Sequence, residues 1–186
     1  MKLTPRAKML LVVAVFALPI TASYIAYNTM DLKPTGNYGE LLLPPGTITA
    51  QAFTRADGSP FRFDSLRGKW VIVASDSGAC PDACREKLDA VRRIRLALGR
   101  DAGRVARVFV ADDLAAPDAA VFAPFEGMEV VRTPTGLRLP PGAANDRAHL
   151  YLVDPLGNVM MRWPARPEGK RMLQDLKRLL KASQVG

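Results

Sequence analysis

Trp70-Val-Ile-Val-Ala-Ser-Asp-Ser-Gly-Ala-Cys80-Pro-Asp-Ala-Cys84 (WVIVASDSGACPDAC) is the stretch that decides the fold. Its first five residues, Trp70 to Ala74, form an unbroken apolar run of the kind found mid-sheet, covered on both faces. A loop carrying both of the chain's cysteines follows. Pro81 to Leu98 then reads as a helix, because Cys84, Leu88, Val91, Ile94 and Leu98 recur three or four apart along one face. Arg85, Lys87, Arg92, Arg93 and Arg95 are expected largely on its other sides. Val105 to Ala111 (VARVFVA) is a second buried strand, so the unit is strand, crossover helix, strand. Such a unit pairs its strands in parallel with a right-handed connection, which is α/β architecture.

Working outward, Gln51 to Arg55 and Pro60 to Phe63 alternate around Asp57-Gly58 and predict a hairpin. Ala119 to Phe125 is a short helix. His149 to Val153 (HLYLV) is a third strand, turned by Asp154-Pro-Leu-Gly157 and returning through Val159 to Trp163 as a terminal hairpin. Glu168 to Ala182 closes the chain as an amphipathic helix covering the sheet, with Met172, Leu173, Leu176, Leu179 and Leu180 on one face.

Upstream, Met9 to Tyr27 holds no charged residue, and as a helix it spans about 28 Å, nearly a hydrocarbon core. Lys2, Arg6 and Lys8 precede it, whereas Asp31, Lys33 and Glu40 follow without positive excess. The positive-inside rule leaves the N-terminus in the cytoplasm and the remainder outside, on the periplasmic side of a bacterial-type inner membrane. A cleaved signal peptide competes with this reading, but its apolar region is usually shorter, and here apolar residues continue past Thr21, Ala22 and Ser23. The expected organisation is 1–8 cytoplasmic, 9–27 transmembrane anchor, 28–46 tether and 47–186 soluble domain. The tether rests on the prolines and glycines of Asp31 to Gly46, and its Leu41-Leu42-Leu43 run is suited to docking on the fold. The net charge of +8 does not make this a nucleic-acid protein: the 26 basic residues are dispersed and not interleaved with aromatics as a stacking platform requires. Anionic lipid or an acidic protein partner fits that charge equally well.

Cys80 and Cys84 carry the chemistry. A helix N-terminus presents unpaired N–H groups and a positive dipole end, which lower the pKa of a nearby thiol below that of a free one at about 8.5. The thiolate is the nucleophile of disulfide exchange and also a soft-metal ligand. Cys84, one turn on and in the apolar stripe, is expected to be the more buried partner. A structural disulfide is the plain alternative, although so short a loop restricts the unfolded chain little. No Gly-rich phosphate loop or G-x-S-x-G motif is present to support other chemistries.

In order, the Asp57-Gly58 hairpin, Leu66-Arg-Gly-Lys-Trp70, the apolar strand, Cys80-Pro-Asp-Ala-Cys84 and Tyr151-Leu-Val-Asp-Pro-Leu-Gly157 resemble the Sco/SenC family over roughly residues 47 to 182. The resemblance implies a thioredoxin-like fold, a central mixed sheet flanked by helices, tethered by one N-terminal helix. It also implies copper bound through both cysteines and a distal histidine, and a role in assembling the CuA centre of cytochrome c oxidase, with a protein partner in that pathway. Some members look more like thiol-disulfide reductases. Here the family's second cysteine is followed by Arg85 rather than proline. The family's histidine stands about five residues before the strand tyrosine, where this chain has Asp146; its sole histidine, His149, is two before Tyr151. An offset of three strand residues is about 10 Å and reverses the face. His149 is thus either the third ligand of a Cys80, Cys84, His149 copper site or a locally packed strand residue. Asp146 offers a hard oxygen that suits copper(I) poorly, and Met160 and Met161 read as core. Three functions follow: thiol-disulfide exchange by Cys80 with Cys84 resolving, a copper metallochaperone, or a non-catalytic docking module with a structural disulfide.

Overall fold

The computed structural model describes residues 4–29, 36–48, 51–133, 135–139, 143–144 and 147–183. Residues 30–35 of the expected tether and Asp146 lie outside the described residues. The chain divides into two compact units, residues 1–37 and 38–186.

The first unit is a helix, α1 (Pro5–Thr29), whose Pro5–Ala26 span has mean hydropathy 2.2 and no buried residue among those described. It is long and apolar enough to cross a membrane, and it contains the expected 9–27 segment. Pro19 lies inside it, and one turn around it the Thr21 hydroxyl donates to the carbonyls of Ala17 (3.0 Å) and Leu18 (3.1 Å), hiding its own polarity within the helix.

The second unit is built on an eight-stranded sheet. Its strands are β1 (Glu40–Thr47), β2 (Phe53–Arg55), β3 (Pro60–Phe61), β4 (Trp70–Asp76), β5 (Val105–Ala111), β6 (Glu129–Arg132), β9 (His149–Val153) and β10 (Asn158–Pro164). A separate small pair is formed by β7 (Arg138–Leu139) and β8 (Ala143–Ala144). The order across the large sheet is β1-β10-β9-β4-β5-β6-β2-β3, and β4 at its centre is buried along its whole length. It pairs in parallel with β5 and antiparallel with β9, so the strand-helix-strand unit is as expected and the sheet is mixed. β1 takes up the C-terminal part of the stretch read as tether, from Glu40 on: it pairs with β10 at the sheet edge, with Leu42 buried, so the sheet begins at Glu40 rather than after residue 46.

Strand alternation sends side chains into two cores. Trp70, Ile72, Phe109, Leu150 and Leu152 face one side, under the helices α2 (Asp82–Ala97) and α4 (Gly169–Ala182). Val71, Val73, Val108, Tyr151 and Val153 face the other, under Leu42, Ile48 and a cluster of Phe53, Phe61 and Phe63 stacked edge to face. In β10 a register irregularity between Val159 and Met161 lets Val159 serve the second core while Met161 and Trp163 serve the first. The remaining helix, α3 (Ala119–Phe122), is capped by Asp118, whose carboxylate accepts the Ala120 amide, and runs on into a 3-10 turn at Ala123–Phe125.

Asp175 ties the layers together. This buried α4 carboxylate accepts the Trp163 indole N–H (3.0 Å) and the backbone amides of Tyr38 and Gly39, the latter at 2.8 Å. Gly39 has to be glycine there, because a Cβ would stand 2.5 Å from the indole nitrogen. Asp175→Ala strands these donors in the core and is expected to cost about 2–3 kcal/mol, measured by urea unfolding followed through Trp70 and Trp163 fluorescence.

Candidate functional site

The site lies at the end of the sheet where β4 and β5 finish and α2 begins. Cys80 and Cys84 are joined by a disulfide, with 5.1 Å between their Cα atoms. Pro81 is the extended residue just before α2 and the helix starts at Asp82, one residue later than expected, which leaves Cys80 in the turn leading in. There Cys80 has φ of 40°, the one positive φ at a non-glycine residue among those described. A side chain in this left-handed region costs about 1–2 kcal/mol, so the surroundings must impose it. The Cys80 amide donates to the Ser77 carbonyl (2.9 Å), and the Arg85 guanidinium donates to the Cys80 carbonyl (3.3 Å) while also pairing with Asp82. The expected difference in exposure between the cysteines is absent: both are fully buried in the disulfide form.

The loop before Cys80 is clamped to the loop after β5. The Asp113 carboxylate accepts from the amides of Gly78 (3.0 Å) and Ala115 (3.1 Å). A Cβ on Gly78 would stand 1.9 Å from the Ala115 carbonyl oxygen, so only glycine permits this approach. Gly78→Ala is expected to push the two loops apart and speed reduction of the disulfide by dithiothreitol, with little change in the far-ultraviolet circular dichroism. Burial pushes the Asp113 carboxyl up, but donation from the Ser77 hydroxyl and the Gly78 and Ala115 amides, with the charge of Arg147, holds it below the usual carboxylate range. A depressed folded pKa means that the clamp is at full strength above that range and weakens as pH falls through and below it.

Beneath the loop is a network of charges that the sequence reading did not assemble. Lys87 is buried, not on the polar side of α2, and its ammonium donates to Asp76 Oδ2 (2.8 Å), the Ser75 carbonyl (2.8 Å) and the Arg147 carbonyl (3.0 Å). Its position was readable, since 87 is three on from Cys84 and four before Val91, inside the apolar stripe. Arg147 spans the strand ends: its Nε donates to both oxygens of the fully buried Asp112 (3.1 Å each), and its other nitrogens lie 3.3 Å from Asp113 and 3.8 Å from Asp76. The Asp112 hydrogen bonds chiefly raise the Arg147 pKa, against partial burial. Segment 147–148, the end of β4 and the cysteine loop are therefore held as one piece.

His149 does not join the cysteines. It opens β9 opposite Pro164, and alternation puts it with Tyr151 and Val153 on the sheet face away from α2, whereas Cys80 and Cys84 pack in the core under α2. Its ring lies 6.2 Å from that of Tyr151. It is also close enough to Glu40 to help lower that carboxyl's pKa, behind the stronger hydrogen bond from Arg162 (2.8 Å). Among the described residues no three His, Cys, Asp or Glu side chains converge on a point where a metal could sit. The two sulfurs are suitable soft ligands once reduced, but this donor set does not complete a Cys2His copper site. Met161 packs in the same core as the cysteines, as a filler residue would.

A central strand leading into a helix-starting cysteine pair, on a mixed sheet with a parallel β-α-β unit, defines a thioredoxin-like domain with a C-x-x-x-C disulfide. The chain belongs to the family described as transmembrane-like, thioredoxin-like, C-terminal domain, whose model matches residues 70–183. No curated protein matches by sequence. Among solved structures it is similar in fold to apo Sco1 from Thermus thermophilus, at 21% identity and TM-score 0.61, over 77% of this chain and 96% of that one. Yeast Sco1 with copper bound matches at 16% identity and TM-score 0.58, over 76% and 94%. BsSco, described as a member of the Sco family of cytochrome c oxidase assembly proteins in which a disulfide switch was identified, matches at 14% and 0.56, over 77% and 100%. The Sco/SenC resemblance is borne out at the level of the fold.

Proposed function

We propose that this chain is a membrane-tethered, Sco-like accessory protein for cytochrome c oxidase assembly, acting through disulfide exchange between Cys80, Cys84 and the cysteines of an acceptor protein. The observation that carries the reading is the Cys80–Cys84 bond at the strand-to-helix turn of a domain folded like BsSco, for which a disulfide switch is described. The apolar α1, preceded by Lys2, Arg6 and Lys8, supports an anchor with its N-terminus in the cytoplasm and the domain on the periplasmic side of a bacterial-type inner membrane.

In the reduced form, the Cys80 thiolate attacks one sulfur of the acceptor's disulfide. A bond forms between that sulfur and Cys80 Sγ, and the acceptor's other sulfur leaves as a thiolate and takes up a proton. The Cys84 thiol gives up its proton and attacks Cys80 Sγ, releasing the first acceptor sulfur. The acceptor gains two electrons and the Cys80–Cys84 bond is restored; the reverse sequence oxidises an acceptor. Since both sulfurs are covered in the oxidised form, exchange requires the 77–81 loop to move, and release of the Asp113 clamp provides the path. The start of α2 and the Arg85 guanidinium at the Cys80 carbonyl favour the thiolate. No step is routed through copper, since His149 faces the other side of the sheet.

The reading is tested in cells that depend on this chain for oxidase assembly. Cys80→Ser is expected to abolish assembly while the variant accumulates normally in the membrane. Full oxidase activity in that variant overturns the proposal.

A further inference from the structure

Away from the cysteines, three arginines meet where α2 lies over the start of β5. Arg107 sits on the α2 side of β5 between Val105 and Phe109, both core residues, and is itself 4% exposed. One of its nitrogens donates to the Glu126 carbonyl (2.5 Å), but its Nε is buried with no hydrogen-bond partner. Beside it on α2, Arg95 uses its Nε on the Val105 carbonyl (3.0 Å), and Arg92 is 3.7 Å from Asp89. These three, with Leu96, Pro124, Glu126 and Gly127, line a half-open cavity of about 420 Å³.

The charge there is poorly balanced. Asp89 is shared with Arg93, at 3.0 Å, and the exposed Glu126 contributes its backbone carbonyl to Arg107. Burial first, then the like charges of Arg95 and Arg92, press the Arg107 pKa down. A guanidinium stays charged at any physiological pH, so such a site retains an unmet demand for an anion. An arginine fork lining a cavity meets that demand best with a planar or tetrahedral oxyanion, which accepts several N–H bonds at once. The cavity is larger than a bare ion needs and lies in the range of small-molecule sites, about 300–1,000 Å³.

We propose that this cavity binds a phosphate ester, its phosphate against Arg107, Arg95 and Arg92 and its organic group along Leu96 and Pro124. The ester is either a soluble phosphorylated compound or the headgroup of an anionic lipid. The test uses the full chain in nanodiscs of neutral lipid, read by the Arg107 Nε–Hε resonance and by calorimetry. Glycerol 3-phosphate titrated into this sample is expected to shift that resonance saturably, with Kd of about 1 mM or below. Saturation by glycerol 3-phosphate supports the soluble source. A shift produced only when phosphatidic acid is included in the disc supports the lipid headgroup. Arg107→Gln is expected to weaken binding about tenfold or more. Because Arg107 is buried and that variant could lose structure, the double variant Arg92→Gln/Arg95→Gln, at one exposed and one half-buried position, is run alongside and should weaken binding about tenfold as well, more strongly at low salt. Absence of a shift with either probe, as when water alone satisfies Arg107, overturns the proposal, and so does binding unchanged in the double variant.

Discussion

Lys87→Met is expected to destabilise the domain by about 3–5 kcal/mol, because it removes the cation from a buried pair and leaves the Asp76 carboxylate without its close partner. The Lys87 side chain is 2% exposed and its ammonium meets three acceptors drawn from the end of β4 and from residue 147. Among the described residues, only the Ser77 amide (2.9 Å) and the more distant Arg147 guanidinium remain to Asp76 when it is gone. Substituting both members, Lys87→Met with Asp76→Leu, should recover much of the loss, since apolar replacement of a whole buried pair is often close to neutral. Urea unfolding of the single and double variants checks both statements. Equal losses in the two would mean that the pair itself is not what Lys87 contributes.

Cys84→Ala is expected to convert a transient exchange partner into a trapped one. With no resolving thiol, Cys80 should remain joined to the acceptor, and a mixed-disulfide adduct should accumulate on non-reducing gels after acid quenching of membranes. Cys80→Ala should give no such adduct, because Cys84 is fixed inside α2, whereas Cys80 sits in the turn before it, where release of the Asp113 clamp can free it. The contrast between the two variants fixes the order of attack. Adducts of equal strength from both would remove the distinction between attacking and resolving sulfur. The Cys84→Ala adduct also delivers the acceptor covalently for identification by mass spectrometry.

Much of this architecture was legible because one period dominates each segment. The buried runs at β4 and β5, the alternation of β9 and the three-four spacing of α2 and α4 each match one kind of element, and the structure places them within two residues of the expected bounds. β1 was not legible. Pro44 and Pro45 interrupt it, and the strand survives because it lies at the sheet edge and its register breaks between Leu41 and Gly46, so no central ladder bond is lost. β6 is four residues long and takes its place from pairing with β5 and β2 rather than from any pattern of its own.

At the site, the cysteine pair and its position before α2 could be read directly, but the polar frame could not. Lys87, Asp76, Asp112 and Arg147 come from four separate segments, and only the fold brings them together. Lysine is rarely buried without a partner, and the partner of Lys87, Asp76, stands at the end of an apolar strand distant in sequence. For His149 the odd offset already implied the wrong face, and the strand alternation agrees with that arithmetic.

The central claim is that Cys80 and Cys84 form an exchange-active pair rather than a permanent bridge. It is tested most directly by the reduction potential of that pair, measured on the full chain by equilibration with glutathione couples and mass-spectrometric trapping of free thiols. A value more oxidising than about −300 mV is expected. A value well below about −300 mV, where inert structural disulfides of exported proteins lie, would contradict it.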